Sequence, residues 1–271
     1  MSAIREIGGV ARISAFVSGV LEGNPAGVWL GESYREAGLM QAVATEVGYA
    51  ETVFLVRGDG GFRIRYFTPA VELPLAGHPT LAAAYHLWEE GVVERGEAIR
   101  FKAEGGEIEA RPGVDGVIWM DFPADAERAR IGEEEGEKIM GMLGLRGCAG
   151  MWRARGNVMV ELEKEQQVFS YRADFSRVGE VEAHLVLVTA AAARGRDYDF
   201  VSRVFGPRVG VGEDPVTGSA HLLLGPHWAE KLGLAELCGY QASDRGGLVR
   251  IKYAGGERIE IGGEAAWIRS I

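Results

Sequence analysis

Glu72-Leu73-Pro74-Leu75-Ala76-Gly77-His78 and Glu213-Asp214-Pro215-Val216-Thr217-Gly218-Ser219 read as two copies of one segment. Glu, Pro and Gly recur at a constant offset, since 213−72, 215−74 and 218−77 all equal 141. An apolar run follows each copy: Pro79-Thr80-Leu81-Ala82-Ala83-Ala84-Tyr85 after the first, Ala220-His221-Leu222-Leu223-Leu224 after the second. A period near half of the 271 residues predicts two similar halves, each with a loop that feeds the start of a buried helix.

A helix start has chemical value. Its first backbone N–H groups lack intrahelical partners, and the aligned peptide dipoles place partial positive charge there. Pro79 suits a first helical turn, where its missing N–H costs nothing. His78 and Ser219 stand at equivalent positions in the two loops. If the halves face one another, two anion-binding helix starts share one cleft, with Gly77, His78, Gly218 and Ser219 around a carboxylate. The alternative is a pair of ordinary turns in which Gly supplies an awkward φ.

Working outward, tight Gly-rich turns at residues 57–61, 104–106, 111–116 and 254–256 separate strand-like runs. The pairs 52–56 with 62–67 and 99–103 with 107–110 read as hairpins; further strands are expected at 117–122, 158–162, 185–189, 200–205, 248–253 and 258–261. Helices are fewer. Residues 39–47 are amphipathic and stop at Gly48, 79–91 and 220–232 are apolar nearly all round at their starts, and Glu133–Leu143 opens on a solvated acidic turn. The result is an α+β chain: two sets of strands, each around a central buried helix. Residues 1–118 form the N-terminal half, 119–262 the C-terminal half, and 263–271 are expected to rejoin the first.

Forty glycines in 271 residues, roughly twice the usual share, belong to turns, because no collagen-like or low-complexity repeat is present. A net charge of −10 with scattered Lys and Arg argues against nucleic acid and anionic membranes. No apolar run reaches membrane-spanning length, and the first ten residues lack a signal-peptide layout, so a cytoplasmic location is expected. Two cysteines, Cys148 and Cys238, exclude a disulfide framework and a CxxC metal site. Strand–GxGxxG–helix and GxxxxGK[ST] are both missing, and His86, His184, His221 and His227 show no ligand pattern, so neither nucleotide cofactor nor metal is expected.

The segment from Ser202 to His221, with Gly206-Pro207-Arg208 and Glu213-Asp214-Pro215-Val216-Thr217-Gly218-Ser219 inside it, resembles the signature of the PhzF (phenazine biosynthesis-like) family. So do Gly23-Asn24-Pro25-Ala26-Gly27-Val28, Ala50-Glu51-Thr52-Val53-Phe54-Leu55, Arg65-Tyr66-Phe67-Thr68-Pro69, Leu75-Ala76-Gly77-His78-Pro79-Thr80 and Arg245-Gly246-Gly247. They occur in the family's order along almost the whole chain; residues 125–180 match poorly. The resemblance implies a diaminopimelate-epimerase-like fold: two pseudo-symmetric halves, each a curled, mostly antiparallel sheet around one helix, with the site between them. It also implies a cofactor-free isomerase, a homodimer, in which a Glu matching Glu51 moves a proton, partnered by His78, Asp214 and Ser219.

Read without the family, a Glu at a strand's edge is usually solvent-exposed. Glu51 opens the apolar run 52–56, however, and a carboxyl beside apolar surface resists ionisation, which suits it to take and return a proton. Asp214 before Pro215 is an ordinary turn cap; the family position adds the orientation of a polar substrate group. Racemases of this fold carry a thiol in each helix-mouth loop, where this chain has His78 and Ser219. The expected function is therefore a proton-relocating isomerase acting on a small carboxylate-bearing metabolite. Its rivals are an amino-acid or hydroxy-acid epimerase of the same fold and a non-catalytic dimeric binding protein.

Overall fold

The computed structural model describes residues 2–113 and 115–268; Met1, Val114, Arg269, Ser270 and Ile271 lie outside the described residues. The turn expected at 111–116 and the tail expected at 263–271 are therefore described only in part. Two compact units divide the chain: Met1–Phe122 with Glu260–Ile271, and Pro123–Ile259.

The first unit runs α1 (Ala3–Glu6), β1 (Ala11–Val17), β2 (Asn24–Gly31), α2 (Ala37–Val47), β3 (Glu51–Gly58), β4 (Gly61–Phe67), β5 (Glu72–Leu73), α3 (Gly77–Glu89), β6 (Ile99–Ala103), β7 (Gly106–Pro112) and β8 (Ile118–Pro123). β1 pairs antiparallel with β2, β2 parallel with β3, and β3 antiparallel with β4. β4 then pairs antiparallel with β5 and parallel with β6, which leads through antiparallel β7 to β8.

The second unit contains β9 (Ala129–Arg130), α4 (Glu133–Leu143), β10 (Gly150–Ala154), β11 (Asn157–Glu161), α5 (Glu165–Ser170), α6 (Phe175–Val178), β12 (Val186–Ala191), β13 (Phe200–Gly206), β14 (Val211–Asp214), α7 (His221–Leu232), β15 (Glu236–Gln241) and β16 (Gly247–Lys252). Its pairings run β10–β11 antiparallel, β11–β12 parallel, β12–β13 antiparallel, β13–β14 antiparallel, β13–β15 parallel and β15–β16 antiparallel. That is the order and sense of β1 to β7. The last strand, β17 (Arg258–Trp267), pairs with β1 and β8, so the strands of the first unit close into a barrel-like ring.

Helix 79–91 of the sequence reading starts two residues earlier, at Gly77, and ends at Glu89. The helix expected from residue 220 instead opens with a 3₁₀ turn, Gly218–Ala220, before α7. Glu133–Leu143 is a helix as expected, and Gly48 ends α2 in the left-handed conformation that glycine adopts most readily. β1, β2, β5, β9, β10, β14 and β15 and the short helices α1, α5 and α6 were not expected from the sequence pattern.

Burial explains these elements. In β3, Val53, Phe54, Leu55 and Val56 are all fully buried, which is why the strand reads as a continuous apolar run without alternation. Phe54 and Val56 pack on Met40, Val43 and Ala44 of α2, and α3 packs against β1, β2, β3 and β7. α3 is buried from Gly77 to Ala84 and again at Leu87 and Trp88. Fully burying a Leu or Phe side chain contributes about 1.5–3 kcal/mol. That outweighs the weak helix propensity of Gly77 and Pro79. Pro226 lies inside α7 and cannot donate to the Leu222 carbonyl; the backbone N–H of Asp125 reaches that carbonyl at 2.9 Å, so the orphan acceptor is satisfied.

The two quoted segments make matching contacts. Arg65 binds both oxygens of Glu72 at 2.6 and 2.7 Å and lies 5.2 Å over Phe67. Arg203 binds both oxygens of Glu213 at 2.7 Å and lies 5.3 Å over Phe205. Phe67 stands opposite Glu72 in the ladder, and Phe205 opposite Glu213. At the helix starts, the Thr80 hydroxyl donates to the Ala76 carbonyl (2.7 Å) and His221 Nδ1 donates to the Thr217 carbonyl (2.8 Å). Both positions are again 141 apart.

Burial should separate the two ion pairs. The side chains of Arg203 and Glu213 are 11% and 17% exposed, those of Arg65 and Glu72 30% and 33%. Glu213→Gln is expected to cost about 2–3 kcal/mol of unfolding free energy and Glu72→Gln less than about 1 kcal/mol. Urea unfolding of both variants checks this; equal losses would show that burial does not set the worth of these pairs.

Candidate active site

Parallel pairing of β2 with β3 brings the first residues of both strands to one end of the sheet. Ala26 stands opposite Glu51, and Asn24 opens β2 two residues earlier. Gly23 delivers the chain there in a left-handed conformation (φ +64°), and a Cβ on it would sit 2.1 Å from the Ala15 carbonyl oxygen, so only glycine fits. α3 packs against both strands and carries His78 in its first turn.

These three elements bring Glu51, His78 and Asn24 together. His78 Nε2 lies 3.3 Å from Glu51 Oε2, and His78 Nδ1 lies 3.3 Å from Asn24 Nδ2. The His78 side chain is 5% exposed and that of Glu51 15%, while Asn24 is fully buried. Burial drives the His78 pKa down to about 3, opposed only in part by the Pro25 carbonyl. The ring is therefore neutral at physiological pH, and its contact with Glu51 is not an ion pair. Ala76, which precedes α3, makes no side-chain cap bond, so it leaves the first N–H groups of the helix to other partners.

Asp214, Gly218 and Ser219 fall in the second unit. Asp214 ends β14 and its Oδ2 accepts from the Thr217 hydroxyl at 2.5 Å, so it closes the turn across Pro215. Gly77 and Gly218 are buried; Ser219 is exposed in the 3₁₀ turn. Gln241 at the end of β15 fixes this loop. Its Oε1 accepts from the Thr217 N–H (2.9 Å), and its Nε2 donates to the Asp214 carbonyl (2.8 Å) and the Thr217 hydroxyl (3.2 Å).

Sequence reasoning gave Asn24 and Gln241 no role. A signal existed for Asn24: the chain has only two asparagines, Asn24 and Asn157, and they open β2 and β11. Cys148 and Cys238 lie in neither helix-mouth loop; both thiols are free and half-buried, and burial pushes both pKa values up, that of Cys238 to about 11. Thiols so perturbed stay protonated at neutral pH and are poor bases. His221 is fully buried, with its pKa lowered by burial to about 4.

Residues 13–270 match the PhzC-PhzF family of phenazine biosynthesis-like proteins, and the chain belongs to that family. An uncharacterized isomerase of Pseudomonas aeruginosa is 38% identical over 259 residues, covering 96% of this chain and 95% of its own. A PhzF-family protein of Enterococcus faecalis has a crystal structure that superposes with a TM-score of 0.87 at 31% identity, covering 96% of both chains. A probable proline racemase from Agrobacterium radiobacter, with bound carbonate, shares the fold alone: TM-score 0.62 and 10% identity over 96% of this chain and 90% of its own. The protein is an enzyme of the isomerase class with an epimerase-like α+β fold.

The buried histidines fix a pH dependence of stability. In the unfolded chain His78 and His221 take up protons near the ordinary value of 6.5, whereas the folded chain excludes them down to about 3 and about 4. Stability is therefore full above about pH 6.5 and is lost as the pH falls from there toward the folded values. For two protons the slope approaches roughly 2.7 kcal/mol per pH unit. Urea unfolding at about pH 7, 6 and 5 measures it, before carboxylates titrate. His78→Gln should remove about half the slope; a flat profile in the parent protein would contradict the burial of neutral rings.

Proposed function

We propose that the protein relocates a proton on a small carboxylate-bearing metabolite without a cofactor, with Glu51 removing the proton and returning it. The observation that carries this is the contact of Glu51 with the buried, neutral His78 at 3.3 Å. A carboxylate at the mouth of an apolar strand, beside a neutral ring, keeps the basicity that a neighbouring cation would remove. In this reading the helix-start N–H groups at Gly77 and His78 hold the substrate's anionic group, and Gly218, Ser219 and Asp214 are candidate substrate-binding groups of the second unit.

We further infer that the two units are pseudo-symmetric copies, each with a central helix. The repeated order of strand pairing and the matched Arg–Glu–Phe contacts support this. Superposing one unit on the other in an experimental structure should place Gly77–His78 over Gly218–Ser219; a misfit there removes the inference. An epimerase reaction of the same fold is the second reading, favoured by the fold shared with a probable proline racemase. The raised thiols, placed outside both loops, count against a two-thiol version of it.

Screening carboxylate metabolites in deuterated water, with mass and NMR detection of label, should identify a substrate. Glu51→Gln keeps the shape but cannot carry a proton, and general acid–base catalysis typically contributes about 10²–10⁴-fold. That variant is expected to fold, bind substrate and lose label exchange by a factor in this range. Cys148→Ala and Cys238→Ala should exchange label at nearly the parent rate. Full exchange in Glu51→Gln together with loss in either cysteine variant would replace the carboxylate mechanism by a thiol one.

A further inference from the structure

Asn24 lies deepest in the site and enters none of the chemistry assigned above. It is fully buried at the first position of β2, held there by a glycine that no other residue could replace. Its side-chain nitrogen, Nδ2, is a donor only, and it lies 3.3 Å from His78 Nδ1. A neutral imidazole has one N–H and one bare nitrogen. When Nδ1 accepts from Asn24, the ring proton resides on Nε2, the atom 3.3 Å from Glu51 Oε2.

We propose that Asn24 is the positioning residue of this site: by donating to Nδ1 it holds His78 in the Nε2–H tautomer, so that the ring presents a donor to Glu51. This rests on the reading of Glu51 as the proton carrier. A donor there stabilises the ionised carboxylate, the form able to take a proton from substrate. The opposite tautomer would set a bare nitrogen lone pair against the carboxylate oxygen, and Glu51 would then be favoured in its protonated, inactive form.

The test uses the full-length protein labelled with ¹⁵N in the histidine rings. Long-range ¹H–¹⁵N correlation reports which ring nitrogen carries the proton, with His78 identified by its loss in His78→Gln. The expected parent spectrum has a protonated Nε2 and a bare Nδ1. Asn24→Asp keeps the shape but offers an acceptor, so the proton should move to Nδ1 and the ring should titrate at higher pH than in the parent. Asn24→Leu, without a donor, should lower the Nε2–H population; if it does not fold, Asn24→Asp decides. On a substrate found by the deuterium screen, Asn24→Asp should lower kcat by at least about tenfold with KM little changed. A bare Nε2 in the parent, or a tautomer unchanged in Asn24→Asp, overturns the proposal. If the tautomer moves as expected but Glu51→Gln keeps full exchange, the role given to Glu51 fails while the assignment to Asn24 stands.

Discussion

A helix that is apolar on nearly every side cannot rest on a surface; it must be wrapped. α3 is buried along its first two turns and again near its end, and α7 carries an almost unbroken buried stretch from Leu223 to Ala229. The remainder follows from that constraint. Strands packed on such a helix and covered outside by α2 are apolar on both faces, as β3 is from Val53 to Val56. Parallel neighbours such as β2 and β3 arise because their connection must carry a helix over the outer face. Parallel strands start at one end, and the start of a wrapped helix lies beside them. The meeting of Asn24, Glu51 and His78 is thus a consequence of wrapping.

The same constraint explains what could be read from the sequence. The 141-residue offset was visible because the loops before both helices need the same parts: a Glu for a strand Arg, a Pro, and a Gly at close quarters. β3 was legible as a continuous apolar run, and β4 and β6 as alternations of buried apolar and outward charged residues. β1 was missed: it carries Phe16 in a left-handed conformation (φ 62°), accommodated where Gly263 has no side chain, and the ladder shifts register beside it. β15 was missed because Glu236, Gly239 and Gln241 interrupt its pattern for tertiary reasons: Gly239 lies against the Phe200 ring and Gln241 serves the Asp214 loop.

Site residues divide along the same line. As candidates, His78 was legible from its place at a helix entry, and Glu51 chiefly from the family resemblance, since a strand entry alone favours an exposed Glu. Asn24 and Gln241 act through partners 54 and 24 residues away, and no local pattern encodes such a contact. For Asp214 the local reading was accurate, since it closes its own turn through Thr217.

The electrostatic logic of the site turns on the histidine being uncharged. An imidazolium 3.3 Å from Glu51 would favour the ionised carboxylate so strongly that it would be a poor base. A polar residue in the same place would leave the carboxylate solvated and equally weak. Deep burial of His78 avoids both outcomes: desolvation suppresses the charge, while the ring keeps one donor and one acceptor. In the proposed reaction Glu51 alternates between ionised and protonated forms, and a partner of fixed charge would favour only one of them. A neutral ring 3.3 Å away stabilises the ionised form only weakly, an interaction small enough to be given up when the proton arrives. Folding thus accepts a penalty in acid, where buried imidazoles resist protonation, and in the proposed reaction this penalty accompanies a base whose proton affinity can lie between those of substrate and product.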